Sequence, residues 1–341
     1  ITAAAGDIDT LSSIEDIVGG GGNDVLSGDG VANTIDGGAG DDRITGGGGN
    51  DSLVGGSGND TFLLAGATDG TDTITDVSGT DTILGAAGVV DVLNVLSNLS
   101  NISGVEAFDG GTGSANTILA TAGADILDFS ALAVANFTID GGAASDTITG
   151  TAGGDVLEGS AGDDTLSGRA GDDTLLGGAD LDTASYAYLA TGFTATLDSA
   201  GTATVTAAAG DTDLLVSIEN ILGGSAADRL VGDAAANTLD GAGGTDTLSG
   251  QDGNDTLVGG ADSDLADYGY LAVALTTTLN AGGTITIAAA SGDTDVLVGI
   301  EGIAGGSGAD RLVGDAVANE LGGGGGDDTL SGLGGNDTLA G

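Results

Sequence analysis

The chain of 341 residues has no cysteine, proline, methionine, tryptophan or histidine, and all four of its basic residues are arginine. Without cysteine there is no disulfide and no thiolate site for zinc. Without histidine there is no Ser-His-Asp triad, no imidazole base and no imidazole metal ligand. Aromatic residues make up only 3% of the chain, so a core built on large rings is excluded. Positive charge is nearly absent: the formal net charge is −48, which is incompatible with a nucleic-acid phosphate backbone as partner. No signal peptide is visible at the first residues, and residue 1 is not Met. This predicts a processed chain or a segment of a longer one, with neither end reading as a cap. The one long uncharged run, 268–292, carries Thr276, Thr277, Thr278, Asn280, Gly282 and Gly283 and is predicted to form strands rather than to cross a membrane.

What is abundant is glycine, 70 residues, and aspartate. Of the 52 acids only six are glutamate. A surface that is acidic for solubility alone would use both, whereas aspartate specifically favours turns and oxygen-rich cation loops. Residues 19–63 divide into five nine-residue units: GGGGNDVLS, GDGVANTID, GGAGDDRIT, GGGGNDSLV and GGSGNDTFL. Each has glycine first, Asp or Asn sixth (Asp24, Asn33, Asp42, Asp51, Asp60) and an apolar residue eighth (Leu26, Ile35, Ile44, Leu53, Phe62). The same block recurs at 141–185 (Asp146, Asp155, Asp164, Asp173, Asp182) and at 223–267 (Asp228, Asn237, Asp246, Asp255, Asp264). A four-nonad copy occupies 305–341 (Asp310, Asn319, Asp328, Asp337). Block starts at 141, 223 and 305 define an 82-residue super-repeat.

Six Gly/Asx-rich residues cannot hold a helix but make a turn. The last three fit a short strand with its middle side chain inward. One turn and one strand cannot bury a lone leucine, whereas stacked copies can, so the nonads predict a solenoid. Between the blocks lie the end of a spacer at 1–18, a long β-rich spacer at 64–140, and spacers at 186–222 and 268–304. Alternation over 193–207 predicts two strands joined near Ser199-Ala200-Gly201, and Ile218, Ile221 and Leu222 are expected to carry the core on to Leu230. Phe108, Phe129 and Phe137 are expected core fillers. Val89–Ile102 is compatible with a short helix or with another rung. Ala184 and Ala266, small residues at the apolar position, would let the coil change cross-section. Arg43, Arg229 and Arg311 are expected on the outward side of strands and Arg169 in a turn.

The nonads resemble the G-G-x-G-x-D-x-U-x repeat of the RTX, or hemolysin-type calcium-binding, family. The resemblance covers the nonad blocks, a little over half of the chain. It implies an all-β fold, a right-handed parallel β-roll or β-helix solenoid, in which two nonads make one coil. It also implies Ca²⁺ between turns stacked on one side, held by sixth-position carboxylates two nonads apart and by turn carbonyls. Bridging nonads i and i+2 gives three ions per five-nonad block and two in the short block, about eleven oxygen-ligated ions in all. Spacer acids such as Asp7, Asp9, Asp211, Asp213, Asp293 and Asp295 could share further ions. At Asn33, Asn237 and Asn319 a neutral amide implies either a weaker site, helped by Asp29, Asp233 and Asp315, or an asparagine turn with no ion.

These features imply a non-enzymatic, calcium-dependent extracellular structural protein of a bacterial cell surface: a surface layer, filament or matrix component that self-associates into a polymer. Cell-surface polysaccharide is a possible further partner. Two other readings stay open: an extender segment of a giant RTX adhesin, and the secretion and folding module of an exported enzyme.

Overall fold

A triplet such as Arg43-Ile44-Thr45, apolar only at its centre, places one side chain inward and two outward when extended. The glycine-rich hexad that follows reverses the chain, and the next triplet does the same on the opposite wall. In the computed structural model the described residues are 14–64, 66, 69–86, 90–96, 99–111, 115–198, 202–206, 210–280, 284–288 and 292–341. They form an all-β fold without an α-helix. The chain divides into two compact units, Ile1–Asp173 and Thr174–Gly341.

In the first unit, strands Asp16–Gly21, Thr34–Ala39, Ser52–Ser57, Thr73–Thr75 and Ile102–Ser103 stack side by side in one parallel wall. A second wall runs through Val25–Ser27, Arg43–Thr45, Thr61–Leu63, Thr82–Leu84, Ala107–Asp109 and Ala133–Ala135. Within the block the register steps by two nonads: Ile35 pairs with Leu53, and Ile44 with Phe62. Eighth-position side chains from both walls meet in the interior, where Ile35, Ile44, Leu53 and Phe62 are at most 2% exposed. Leu26, on the first strand of its wall, is only half-buried.

The nonad pattern does not stop at Leu63. Ile74 and Ile83 are as buried as the block's own core residues and continue both walls. The described part of Val89–Ile102 contains strand Val92–Asn94, which pairs with Asn116–Leu119, so it is a rung rather than a helix. Phe108, Phe129 and Phe137 are buried, and the first two rings meet edge-to-face with centroids 6.0 Å apart.

The second unit repeats the parallel stacking through Arg229–Val231, Thr247–Ser249 and Leu265–Asp267 on one wall and Asn220–Leu222, Thr238–Asp240 and Thr256–Val258 on the other. Its spacers add what the nonads lack, antiparallel pairs: Thr202–Thr206 against Thr212–Val216, and Thr284–Ala288 against Thr294–Val298. Thr194 pairs with Thr206, as the alternation predicts; the turn at 199–201 lies outside the described residues. The run 268–292 contains strands Thr276–Thr278 and Thr284–Ala288, and no helix among the described residues is long and apolar enough to cross a membrane. Ile218, Ile221 and Leu230 join the core, but Leu222 faces out. Adjacent residues of a strand take opposite faces, so Ile221 and Leu222 cannot both point inward. Ala184 and Ala266 are fully buried, and the next inward residues are Tyr186 and Tyr268, each 1% exposed. Arg43, Arg229 and Arg311 are exposed, and Arg229 lies 3.6 Å from Asp267.

Candidate metal centre

Each sixth-position side chain stands at the end of a turn, just before its strand. One carboxylate oxygen reaches back along the stack to the main chain of the coil before it. Asp24 N–H donates to Asp42 Oδ1 at 2.8 Å, Asp42 N–H to Asp60 at 2.7 Å, and Asn33 N–H to Asp51 at 2.8 Å. Further along the first unit Asp146 N–H donates to Asp164 and Asp155 N–H to Asp173. In the second unit the same step links Asp228 to Asp246, Asn237 to Asp255, Asp246 to Asp264, Asp310 to Asp328 and Asn319 to Asp337. Asp182 N–H donates to Glu219. The predicted residues are thus brought into ladders, one carboxylate or amide per coil on each side.

The second side-chain oxygen divides the nonads into two classes, and the division follows the backbone at the second position. One set of nonads has positive φ at that residue. This class holds Asp24, Asp42, Asp51, Asp60, Asp146, Asp164, Asp173, Asp182, Asp246, Asp255, Asp264, Asp328 and Asp337, preceded by second-position residues from Gly20 (φ 118°) to Leu333 (φ 65°). Oδ2 is buried without a hydrogen-bond partner on Asp24, Asp42, Asp51, Asp60, Asp146, Asp246, Asp255 and Asp264. Where the second residue has ordinary φ, its N–H closes on the side chain of its own nonad. Asp29 donates to Asn33 at 2.9 Å, Thr151 to Asp155 at 2.6 Å, Gly224 to Asp228 at 2.9 Å, Asp233 to Asn237 at 2.8 Å, Gly306 to Asp310 at 3.0 Å and Asp315 to Asn319 at 2.8 Å.

Residue type does not decide the class. Gly224 and Gly306 could take positive φ and do not, while Ser160, Arg169, Ala242, Gln251 and Leu333 do, at a cost of about 1 kcal/mol each. Strain retained at non-glycine positions of the open class marks the open geometry as the one that matters.

First-position glycine has a second reason besides the turn. A Cβ on Gly19 would lie 2.6 Å from Asp24 Oδ2 and 2.5 Å from the carbonyl oxygen of Gly37, two nonads on. The same convergence occurs at Gly37 (Asp42 Oδ2 and Gly55 O) and at Gly241 (Asp246 Oδ2 and Gly259 O). Beside each of these glycines a carboxylate oxygen and a carbonyl oxygen converge on one small cradle; closed nonads show the same pair at Gly223 and Gly305, but there the second-position N–H also reaches the carboxylate. Two converging acceptors, one charged and buried, fit a hard cation that takes only oxygen ligands. Gly241→Ala puts a methyl group in that cradle at ordinary φ. It is expected to remove one bound ion and to raise the calcium midpoint of folding, while Gly30→Ala, in a closed nonad with open space around the new methyl, leaves the ion count unchanged; equilibrium dialysis against buffered calcium reads both.

The electrostatics follow from burial without a counter-charge. Loss of water around Asp246 and Asp255 pushes both carboxyls up to about 7, with nearby carboxylates adding to the shift. Asp72, Asp81, Asp146 and Asp264 are raised to about 6 for the same first reason. The backbone N–H each receives acts in the opposite direction and does not cancel the effect.

Some ladder places are closed in other ways. Asp295 accepts from Asp255 N–H, and its second oxygen takes the Tyr268 hydroxyl at 2.9 Å; Tyr186 donates to Asp213 in the same manner. A buried hydroxyl there supplies the proton that a cation would otherwise replace. Glutamate ends ladders: Glu106, Glu219 and Glu301 accept from Asp81, Asp182 and Asp264. Asn237 and Asn319 each donate their amide N–H₂ to a glutamate main-chain carbonyl, Glu219 and Glu301, a bond no aspartate could make. Asp7 and Asp9 lie outside the described residues.

Sequence reasoning missed Asp72, Asp76 and Asp81. Asp51 N–H donates to Asp72 and Asp60 N–H to Asp81, so the ladder runs on into the segment read as spacer. The signal was present in Asp72-Thr73-Ile74 and Asp81-Thr82-Ile83, which repeat Asp146-Thr147-Ile148, but the ladder step there is 21 residues instead of 18.

The model of the RTX calcium-binding nonapeptide repeat matches residues 10–30, 27–62, 110–129, 138–157, 149–184, 222–257, 232–266 and 303–341. No curated protein matches the chain. The matched segments make up more than half of the sequence and cover every nonad block, short of the last residue in the first three, along with residues 110–129 inside the long spacer. Repeats, coil register and oxygen cradles agree: the chain belongs to the family of RTX calcium-binding nonapeptide repeat proteins.

Proposed function

We propose that this chain is a non-catalytic, calcium-dependent structural solenoid of the bacterial exterior, whose ions sit on the open nonads and whose coils associate into an ordered assembly. The observation that carries the reading is the ladder of buried aspartates whose second oxygen has no partner. Such groups are stable in a folded protein only when protonated or paired with a cation. Calcium at extracellular concentration is the counter-charge that suits oxygen-only cradles, with affinities for modules of this kind on the order of 10⁻⁴ to 10⁻³ M. The closed nonads, Asn33, Asp155, Asp228, Asn237, Asp310 and Asn319, already have one side-chain oxygen on the main-chain N–H of their second residue and are assigned no ion of their own.

A structural role is supported by the tandem architecture and by the lack of histidine, cysteine and lysine for catalysis. Calcium would also screen acidic faces that otherwise repel. Electron microscopy of the purified chain tests this: ordered polymers in calcium that vanish in chelator support the structural role. Separate rods at all concentrations would move the role to a calcium-stiffened extender. The site assignment has its own test. Asp255→Asn, at an open nonad, is expected to cost at least one ion, and Asn319→Asp, at a closed nonad, is expected to add none. An ion gained by Asn319→Asp would overturn the division into two classes.

A further inference from the structure

One acidic cluster departs from the repeat. Residues 76–84, DVSGTDTIL, occupy the frame of a nonad with Asp81 sixth, Ile83 eighth and Gly79 fourth at φ 156°. Its first position holds not glycine but Asp76. In ordinary nonads the first-position glycine offers a neutral main-chain carbonyl to the cradle of the coil two nonads back. Here the side chain of Asp76 enters that cradle. A Cβ on Gly55 would meet Asp76 Oδ1, where the carbonyl oxygen stands in the other nonads, and would lie 2.6 Å from Asp60 Oδ2. Asp76 is fixed by two main-chain donors: Gly56 N–H to Oδ1 at 2.8 Å and Ser78 N–H to Oδ2 at 2.9 Å. Oxygens of Asp60, Asp76 and Asp81 lie within 4.8 Å of one another. Asp60 is 1% exposed and Asp81 is fully buried, and Oδ2 of each is buried without a hydrogen-bond partner.

We infer that Asp60, Asp76 and Asp81 form a distinct three-carboxylate cation site, tighter than the nonad sites and centred on the departure from the repeat at Asp76. It borrows the cradle of the proposed calcium ladder but adds a full negative charge where the repeat supplies a carbonyl dipole. Affinity for hard cations rises with the number of charged ligands, so this site fills first as calcium rises. It lies where the ladder step lengthens from 18 to 21 residues. An ion held there would secure the junction between the regular block and the irregular coils that follow.

The test uses the full chain, calcium as the probe, and equilibrium dialysis at calcium buffered from about 1 µM to about 10 mM, a range that spans sensor and extracellular affinities. The wild type is expected to hold one ion at concentrations about tenfold below those that fill the rest. Asp76→Asn and Asp60→Asn are each expected to lose that early ion, and the double variant to lose no more of the early phase than either alone. Circular dichroism at saturating calcium confirms that each variant is folded. An early ion retained in Asp76→Asn, whether or not Asp60→Asn loses it, would overturn the inference and return Asp60 to the ordinary ladder. If the wild type binds a single ion and Asp76→Asn none, this site stands while the calcium reading of the ladder falls.

Discussion

Transfer of the chain into chelator at neutral pH is expected to abolish most of its β structure. Sixth-position carboxylates recur once per coil on each side, and the second oxygens of Asp24, Asp42, Asp51, Asp60, Asp146, Asp246, Asp255 and Asp264 have no donor to compensate burial. Two carboxylates about 5 Å apart repel by roughly 3 kcal/mol at an effective dielectric near 20. Stacking adds such a repulsion at each step, while short triplet strands with one inward residue per turn contribute little burial to oppose it. Bound calcium reverses the sign. At ten times the dissociation constant, each site stabilises by roughly 1.4 kcal/mol, so about ten sites together match the stability of an ordinary domain. A far-UV circular dichroism spectrum that becomes coil-like in chelator and recovers on adding calcium is the expected result. Magnesium should recover little, because it demands compact octahedral geometry and releases its water reluctantly.

Acid is expected to do part of what calcium does. Burial raises Asp246 and Asp255 to about 7, and Asp72, Asp81, Asp146 and Asp264 to about 6, from an ordinary value of 3.8. Each therefore binds more protons folded than unfolded, and stability falls as pH rises through the window from about 4 to about 7. In chelator, lowering the pH from 7.5 to about 5 should restore β signal, and raising it again should remove it. With calcium present the dependence reverses, since protons compete for the same oxygens and the calcium midpoint shifts upward below about pH 6. Calcium-free material that gains no β structure on acidification would show that the carboxylates are not what holds the apo chain open.

Much of this was legible in the sequence, because the period of nine fixes both the turn and the inward residue. Ile35, Ile44, Leu53 and Phe62 are buried where the pattern places them, and the two-nonad coil appears as Ile44 opposite Phe62. The sixth-position aspartates assemble into ladders for the same reason. What the period could not show is the orientation of one peptide. Asp155, Asp228 and Asp310 look like their neighbours in sequence, yet Thr151, Gly224 and Gly306 close on them. Gly224 and Gly20 are both glycine and differ in φ, so a glycine at the second position does not by itself fix the class. The asparagines are clearer in retrospect, since Asn237 and Asn319 need a donor toward Glu219 and Glu301 as well as an acceptor. The ladder beyond Leu63 escaped notice because its step there is 21 residues rather than 18. Leu222 escaped because two adjacent apolar residues cannot both face inward in one strand.

The most direct measurement is a calcium titration in which far-UV circular dichroism and bound calcium are read on the same samples at neutral pH. β signal and bound ions are expected to rise together, cooperatively and in the millimolar range, after one early ion. A chain already fully folded in chelator, or one that binds its ions without any change in β signal, would contradict that expectation.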